Sequence, residues 1–332
     1  MNGLVNKTRL LATFLLFVTG TGPALAEGDD VQALLQRMFQ AGSMHSYKGT
    51  FVYTRNNAMH AMSIYHAAGP DGIRERLVSM DGSGREVIRD NDLVTCYLPD
   101  RRSVVVEKAR PSGGQFPPRF PTNIDDLLPY YEFSVVPKCR ERVANRTTAK
   151  IMVTPRDEFR YGYRLWIDKE TGLLLKTKLL GAGDTAVEQF MYTSIEYLPS
   201  LPEELLKPAI DGSDFTWMRP GEAGSAMHMG PQNEWRFTEL PPGFQLQMHM
   251  AHHPVENTNA TEHLLLSDGL ASISVFIARY DGEGDSLMGG SRMGAVNAYG
   301  RVVDGYHVTA VGEVPQAAVR MVAESIVRKP AH

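Results

Sequence analysis

Residues 46–80 read SYKGTFVYTRNNAMHAMSIYHAAGPDGIRERLVSM, and this stretch decides the fold class. Tyr47, Gly49, Phe51 and Tyr53 alternate with Lys48, Thr50, Val52 and Thr54, the period of two that marks a half-buried strand. Asn56-Asn57 turns the chain, and residues 59–66 return as a second strand. Gly69-Pro-Asp-Gly72 turns it again into a third strand over 74–80, and Asp81-Gly82 signals the next hairpin. Residues 86–89, 93–98 and 103–107 continue the meander. Strands at intervals of about ten residues with Gly, Asp and Asn turns predict an antiparallel sheet or barrel.

Upstream, Val31, Leu34, Leu35, Met38 and Phe39 fall on one face of a helix that Asp30 caps and Gly42 ends. Burying those five side chains contributes about 7–15 kcal/mol before entropy costs, so the helix must pack on something. Still further upstream, Lys7 and Arg9 precede a short apolar run over 10–18, and Ala24-Leu25-Ala26 fits a small-x-small cleavage rule. Residues 1–26 read as a secretory signal peptide, with the run too short to span a bilayer. Export makes the two cysteines readable. Cys96 and Cys139 are expected to form a disulfide, as a thiol pair does in an oxidising compartment.

Downstream, residues 109–122 form a Pro- and Gly-rich loop, and a short helix over Ile124, Leu127 and Leu128 should follow. Strands resume at 131–136 and 148–154, and residues 160–180 form a hairpin around Lys169-Glu-Thr-Gly172. A last strand spans 187–197, and Pro199, Pro202 and Pro208 mark a boundary. The division expected is 27–200, a linker over 201–231, and a second β-rich unit over 232–332. That unit has strands at 244–250, 263–267, 270–280 and 306–311, a glycine-rich loop at 282–294, and a helix carrying Val319, Val322 and Ile326.

The chain has 332 residues, 43% hydrophobic and 22% charged, with net charge -4. That is a globular composition, and it disfavours a nucleic-acid binder driven by overall basicity. Gly-x-Ser-x-Gly, P-loop, His-Glu-x-x-His and Cys-x-x-Cys motifs do not occur, so no catalytic residue and no cofactor is assigned. Asp71, Asp81, Asp168, Asp268 and Asp304 fall in turns, where Asp caps backbone N–H groups. Met227-His228-Met229 and Met248-His249-Met250-Ala251-His252-His253 carry soft ligands that suit copper. Met248 and Met250 share one strand face and His249 the other, so one strand cannot converge them, and no metal site is assigned.

The aromatic face of the first strands is the other signal. One amphipathic helix cannot cover a sheet of that size, so an apolar ligand cavity is expected, with Phe51, Tyr53, Met62, Ile64 and Trp166 as candidate lipid contacts.

Taken in order, Tyr47-Lys-Gly-Thr-Phe-Val-Tyr53, Arg74-Glu-Arg-Leu77, Gly84-Arg-Glu-Val-Ile-Arg89, Val153-Thr-Pro-Arg-Asp157, Arg160-Tyr-Gly-Tyr163 and Asp168-Lys-Glu-Thr-Gly-Leu173 carry a resemblance. It continues in Leu240-Pro-Pro-Gly-Phe244, Asp268-Gly-Leu270, Ser274-Val-Phe-Ile277 and Val311-Gly-Glu-Val-Pro315. The chain resembles the RseB/MucB family, periplasmic regulators of the envelope-stress sigma factor. The resemblance implies an α+β protein. Its N-terminal part would be an unclosed antiparallel barrel similar to the lipoprotein carriers LolA and LolB, with helices in its opening. A smaller C-terminal antiparallel sheet with a helix would follow. It also implies a periplasmic protein without catalytic activity. Such a protein binds the periplasmic domain of a membrane anti-sigma factor of the RseA/MucA kind and shields it from proteolysis. Lipopolysaccharide or a related lipid releases it, and a homodimer stays open. Two other readings compete: a periplasmic lipid or lipoprotein carrier, and a Met/His copper-binding protein.

Overall fold

The computed structural model describes residues 31–55, 58–108, 124–219, 226–228, 234–253, 261–282 and 286–329. The expected signal peptide lies outside the described residues, as do the loop expected over 109–122 and parts of the expected linker.

A helix, α1 (Val31–Met44), opens the described chain. The strands of the first sheet follow: β1 (Ser46–Arg55), β2 (Ala58–Gly69), β3 (Gly72–Ser79), β4 (Glu86–Asp90), β5 (Leu93–Leu98) and β6 (Ser103–Lys108). After them come β7 (Tyr131–Val135), β8 (Arg142–Val143), β9 (Arg146–Pro155), β10 (Gly162–Asp168), β11 (Leu174–Leu180), β12 (Ala186–Leu198) and β13 (Thr216–Met218). Their order is β13-β6-β5-β4-β3-β2-β1-β12-β11-β10-β9-β7, with β8 paired to β9. Among the described residues the two end strands, β13 and β7, do not pair with each other, so the sheet is unclosed.

The second unit holds β14 (Ala226–His228), β15 (Trp235–Phe237), β16 (Gln245–His253), β17 (Thr261–Ser267), β18 (Ser272–Arg279), β19 (Gly289–Met293), β20 (Val296–Val303) and β21 (Tyr306–Gly312). It closes with α2 (Gln316–Ser325) and β22 (Ile326–Arg328). β14-β16-β17-β18-β21-β20-β19 form an antiparallel sheet, and β15 pairs with β22. Val319 and Val322 of α2 pack with Ile273, Val275 and Ile277 of β18 in one core, and Ile326 joins that core from β22 rather than from the helix.

The meander turns where the sequence puts its Gly and Asx residues, and the register keeps Phe51, Met62 and Tyr192 opposite one another on one face. α1 buries Leu34, Leu35 and Met38 against Ile151, Val153, Leu165 and Ile167 of the sheet, and Phe39 is only partly covered. Its Arg37 donates through Nη2 to the carbonyls of Lys169 and Glu170, at 2.8 and 3.0 Å. Gly172 makes that approach possible: its φ is +82°, and a Cβ there would stand 2.9 Å from the Arg37 carbonyl oxygen.

Four local expectations are corrected. Residues 125–130 form successive turns, not a regular helix, although Ile124 and Leu127 are buried. The Ile124 carbonyl accepts from both Leu127 and Leu128, and Pro129 limits helical continuation. The loop expected over 282–294 contains strand β19. The first part of the expected linker is strapped to the sheet: Leu206 is buried, Arg76 donates to the Leu205 carbonyl, and Ala209 N–H donates to Glu86 at 3.0 Å. β13 then adds parallel to β6.

The disulfide is the fourth correction. Cys96 and Cys139 are free, half-buried thiols. Cys96 sits in β5, and Cys139 follows β7 at the far end of the strand order, with β4, β3, β2, β1, β12, β11, β10 and β9 between. Burial, and then the Glu107 charge, push the Cys96 thiol up.

Candidate functional site

The loop from β9 to β10, Arg156–Tyr161, is where the two units meet. Its Arg160 has a fully buried side chain. Nε donates to Asp268 Oδ2 at 2.6 Å, and the other two guanidinium nitrogens donate to Asp157 and to the Pro242 carbonyl. Asp268, equally buried, sits in the β17–β18 turn. Its Oδ1 accepts from the backbone of Leu270 and Ala271 at 2.9 and 2.7 Å, and Oδ2 also accepts from Tyr131 Oη at 3.1 Å. Both charges are therefore paired and hydrogen-bonded, the condition under which a buried ion pair is tolerated. Burial, and then the Asp268 charge, raise the Tyr131 hydroxyl well above its ordinary range, so it stays a donor.

Aromatic rings enclose the guanidinium: Tyr130 at 4.8 Å, Phe244 at 5.1 Å and Tyr131 at 5.6 Å. The Leu240-Pro-Pro-Gly-Phe244 turn can bring Phe244 there because residue 243 is glycine. Its φ is +81°, and a Cβ would lie 2.3 Å from Tyr130 Cζ. The apolar contacts are reciprocal. Phe159 packs against the core of the second unit, and Leu270 packs against the core of the first.

Further along the seam, Tyr161 Oη donates to the Ala295 carbonyl at 3.1 Å. Asn297 Nδ2 donates to Tyr161 Oη at 2.9 Å and to the Val314 carbonyl at 2.7 Å. Beside these contacts lies a cleft of about 550 Å3, lined by Asp157, Tyr161 and Asp184 from the first unit and by Arg292, Asn297 and Gln316 from the second. At another edge, Arg55 pairs with Glu188 at 2.9 Å and lies 3.7 Å from Glu313. Partial desolvation, and then the Glu188 carboxylate, push Glu313 up to about 7, although its side chain is still 42% exposed. The seam supplies a cleft of mixed polar and apolar lining beside a buried, ion-paired joint, which suits holding a partner or ligand across both units.

The structure gathers the expected lipid set in one cluster, though not on one face. Phe51, Met62 and Ile64 are buried in one cluster with Phe190 and Tyr192, and Tyr53 packs at its margin. Phe51 and Ile64 have no exposed surface, and the cleft at the seam is not lined by any of these four. Trp166 belongs to the same buried cluster but projects from the other face of its strand. It stands opposite Lys150 and Lys176, whereas Leu165 and Thr177 share the Phe190 face. Aromatic content in the strands marked the core correctly, but a period of two cannot say which core is full.

The Met/His stretches meet across paired strands, Met227 opposite His252 and Met250 opposite His263. His249 Nε2 bonds Glu262 at 2.8 Å. The side chains of 226–228 and 251–253, and residue Met229, lie outside what is described. Among the described residues no group of three His, Cys, Asp or Glu side chains could hold a metal. The seam residues Arg160, Tyr131 and Asp268 were not singled out as a site from sequence. Arg160 and Asp268 did fall in quoted motifs, but nothing in their local pattern says that they meet.

A family model described as the MucB/RseB N-terminal domain matches residues 30–210, and one described as the MucB/RseB C-terminal domain matches residues 230–327. The chain is 31% identical over 330 residues to the sigma factor AlgU regulatory protein MucB of Pseudomonas aeruginosa, covering 95% of this chain and 96% of that protein. It is 27% identical over 334 residues to the sigma-E factor regulatory protein RseB of Escherichia coli, covering 96% and 95%. Among solved structures it is similar to MucB in the Pseudomonas aeruginosa MucA/MucB complex. There the TM-score is 0.71 at 30% identity, over 91% of this chain and all of that one. A crystal structure of MucB with MucA(peri) gives 0.69 at 29% identity, over 91% of this chain and 100% of that chain.

Proposed function

Because the chain belongs to the MucB/RseB family, we propose that it is a periplasmic negative regulator of a sigma-E-type envelope stress response. It binds the periplasmic domain of a membrane anti-sigma factor of the MucA/RseA kind and protects it from regulated proteolysis. Lipopolysaccharide or a related lipid releases it. It acts by binding and catalyses nothing.

One observation carries this reading: nearly the whole described architecture, both units in order, is similar to MucB as found with MucA, at a TM-score of 0.71. A carrier needs only the first unit, whereas here Arg160 and Asp268 lock two units into one body. The partner-binding surface is assigned to the second unit and the seam, and lipid sensing to the first unit. The test is capture of the partner. The mature chain, immobilised, should retain the periplasmic segment of the anti-sigma factor encoded in the same genome. Retention of acylated lipoproteins instead would favour the carrier.

A further inference from the structure

The first sheet has a second concavity, of about 500 Å3, on the face away from Phe51. Three adjacent strands build it. Lys150 of β9, Trp166 of β10 and Lys176 of β11 stand directly opposite one another, and Arg164 and Lys178 form the next rung. Cross-strand partners share a face, so four cations line one concavity and two of them stand over the indole. The ammonium groups of Lys150 and Lys176 lie 4.7 and 4.6 Å from the ring centre, within cation–π range.

Two carboxylates reach the site, and both are committed. Glu141 accepts from Lys150 at 2.8 Å and from Trp166 Nε1 at 2.7 Å. Asp184 pairs with Arg164 at 2.6 Å. Lys176 and Lys178 remain as surplus positive charge. Burial, and after it the charge of Lys178, hold the Lys176 ammonium below its ordinary pKa. The surplus, about two charges, matches a phosphate monoester, which carries roughly -1.5 to -2 at neutral pH. An acidic peptide would instead spread its carboxylates along an extended strip, about 3.3 Å per residue. These cations converge on one volume.

We propose that this concavity is a binding site for a phosphate monoester, held by Lys176 and Lys178 above Trp166. It deepens the regulator reading by giving the releasing lipid an anionic headgroup site, and it rests on that reading only for the ligand's source.

The test uses the full mature chain and three vesicle types: phosphatidylcholine alone, with phosphatidylglycerol, and with phosphatidic acid. Inorganic phosphate is the soluble probe. Phosphatidic acid should bind best, and phosphate should compete with it. The double variant Lys176→Gln, Lys178→Gln should bind those vesicles about 30-fold more weakly while unfolding at the wild-type midpoint. Binding of inorganic phosphate without any vesicle binding supports the phosphate chemistry and assigns a soluble source. Equal binding to all three vesicles, no loss in the double variant, or displacement by a Glu-rich peptide but not by phosphate would overturn the site. Capture of the anti-sigma factor, measured on the same proteins, separates the two ideas. A wild-type chain that binds phosphatidic acid but captures no partner keeps the site and ends the regulator reading.

Discussion

Arg160 and Asp268 form a buried ion pair between the two units, Nε to Oδ2 at 2.6 Å, with neither side chain reaching solvent. Truncating one partner leaves the other charge buried and unpaired, which costs about 3–5 kcal/mol. Arg160→Met should therefore lower stability by that amount in urea unfolding. Arg160→Lys should not rescue it, because one ammonium cannot serve Asp268, Asp157 and the Pro242 carbonyl as the planar guanidinium does. A loss under about 1 kcal/mol for Arg160→Met would mean the pair is not closed in solution.

Gly243→Ala should loosen the same joint from the other side. The new methyl meets the Tyr130 ring, and the φ of +81° disfavours any L side chain. Overpacking of this kind costs roughly 1–3 kcal/mol. Limited proteolysis should cut the variant faster than the wild type, and equal rates would contradict the close packing.

Glu313 gives the seam a pH dependence. Partial desolvation and Glu188 hold it near 7 instead of 4.5, with Arg55 opposing the shift. A carboxyl raised in the folded state contributes stability below its unfolded pKa and loses it as pH rises through the folded value. Stability should therefore fall between pH 4.5 and about 7 and then level off. Glu313→Gln should remove that slope in denaturant titrations across the window. Identical slopes for variant and wild type would place the titrating group elsewhere.

The free thiols make a simple expectation. Unfolded without reductant, the mature chain should take up one maleimide at Cys96 and one at Cys139, and reductant should leave its unfolding midpoint unchanged. Protection of both thiols until reduction would restore the bridge.

The meander over 46–108 was legible because turns and period-two alternation are local. The hidden features are non-local. Phe51 and Ile64 read as cavity walls, but both are fully buried beside Phe190 and Tyr192, which come from β12, far along the chain. Phe51→Ala should accordingly cost about 3–5 kcal/mol, as a core truncation does, rather than alter lipid response alone. Trp166 sits on the opposite face because pairing with β9 and β11 sets it there. The Arg160–Asp268 contact joins residues 108 positions apart, so neither residue's surroundings predict it. The cysteines were paired by compartment alone, and sheet order separates their strands.

Partner protection is the most direct measurement. The periplasmic domain of the cognate anti-sigma factor is incubated with the protease that begins its destruction, with and without the mature chain. The intact domain should persist much longer with the chain present, and lipopolysaccharide should restore cleavage. Cleavage at the same rate with and without a folded, saturating chain would contradict the regulatory role.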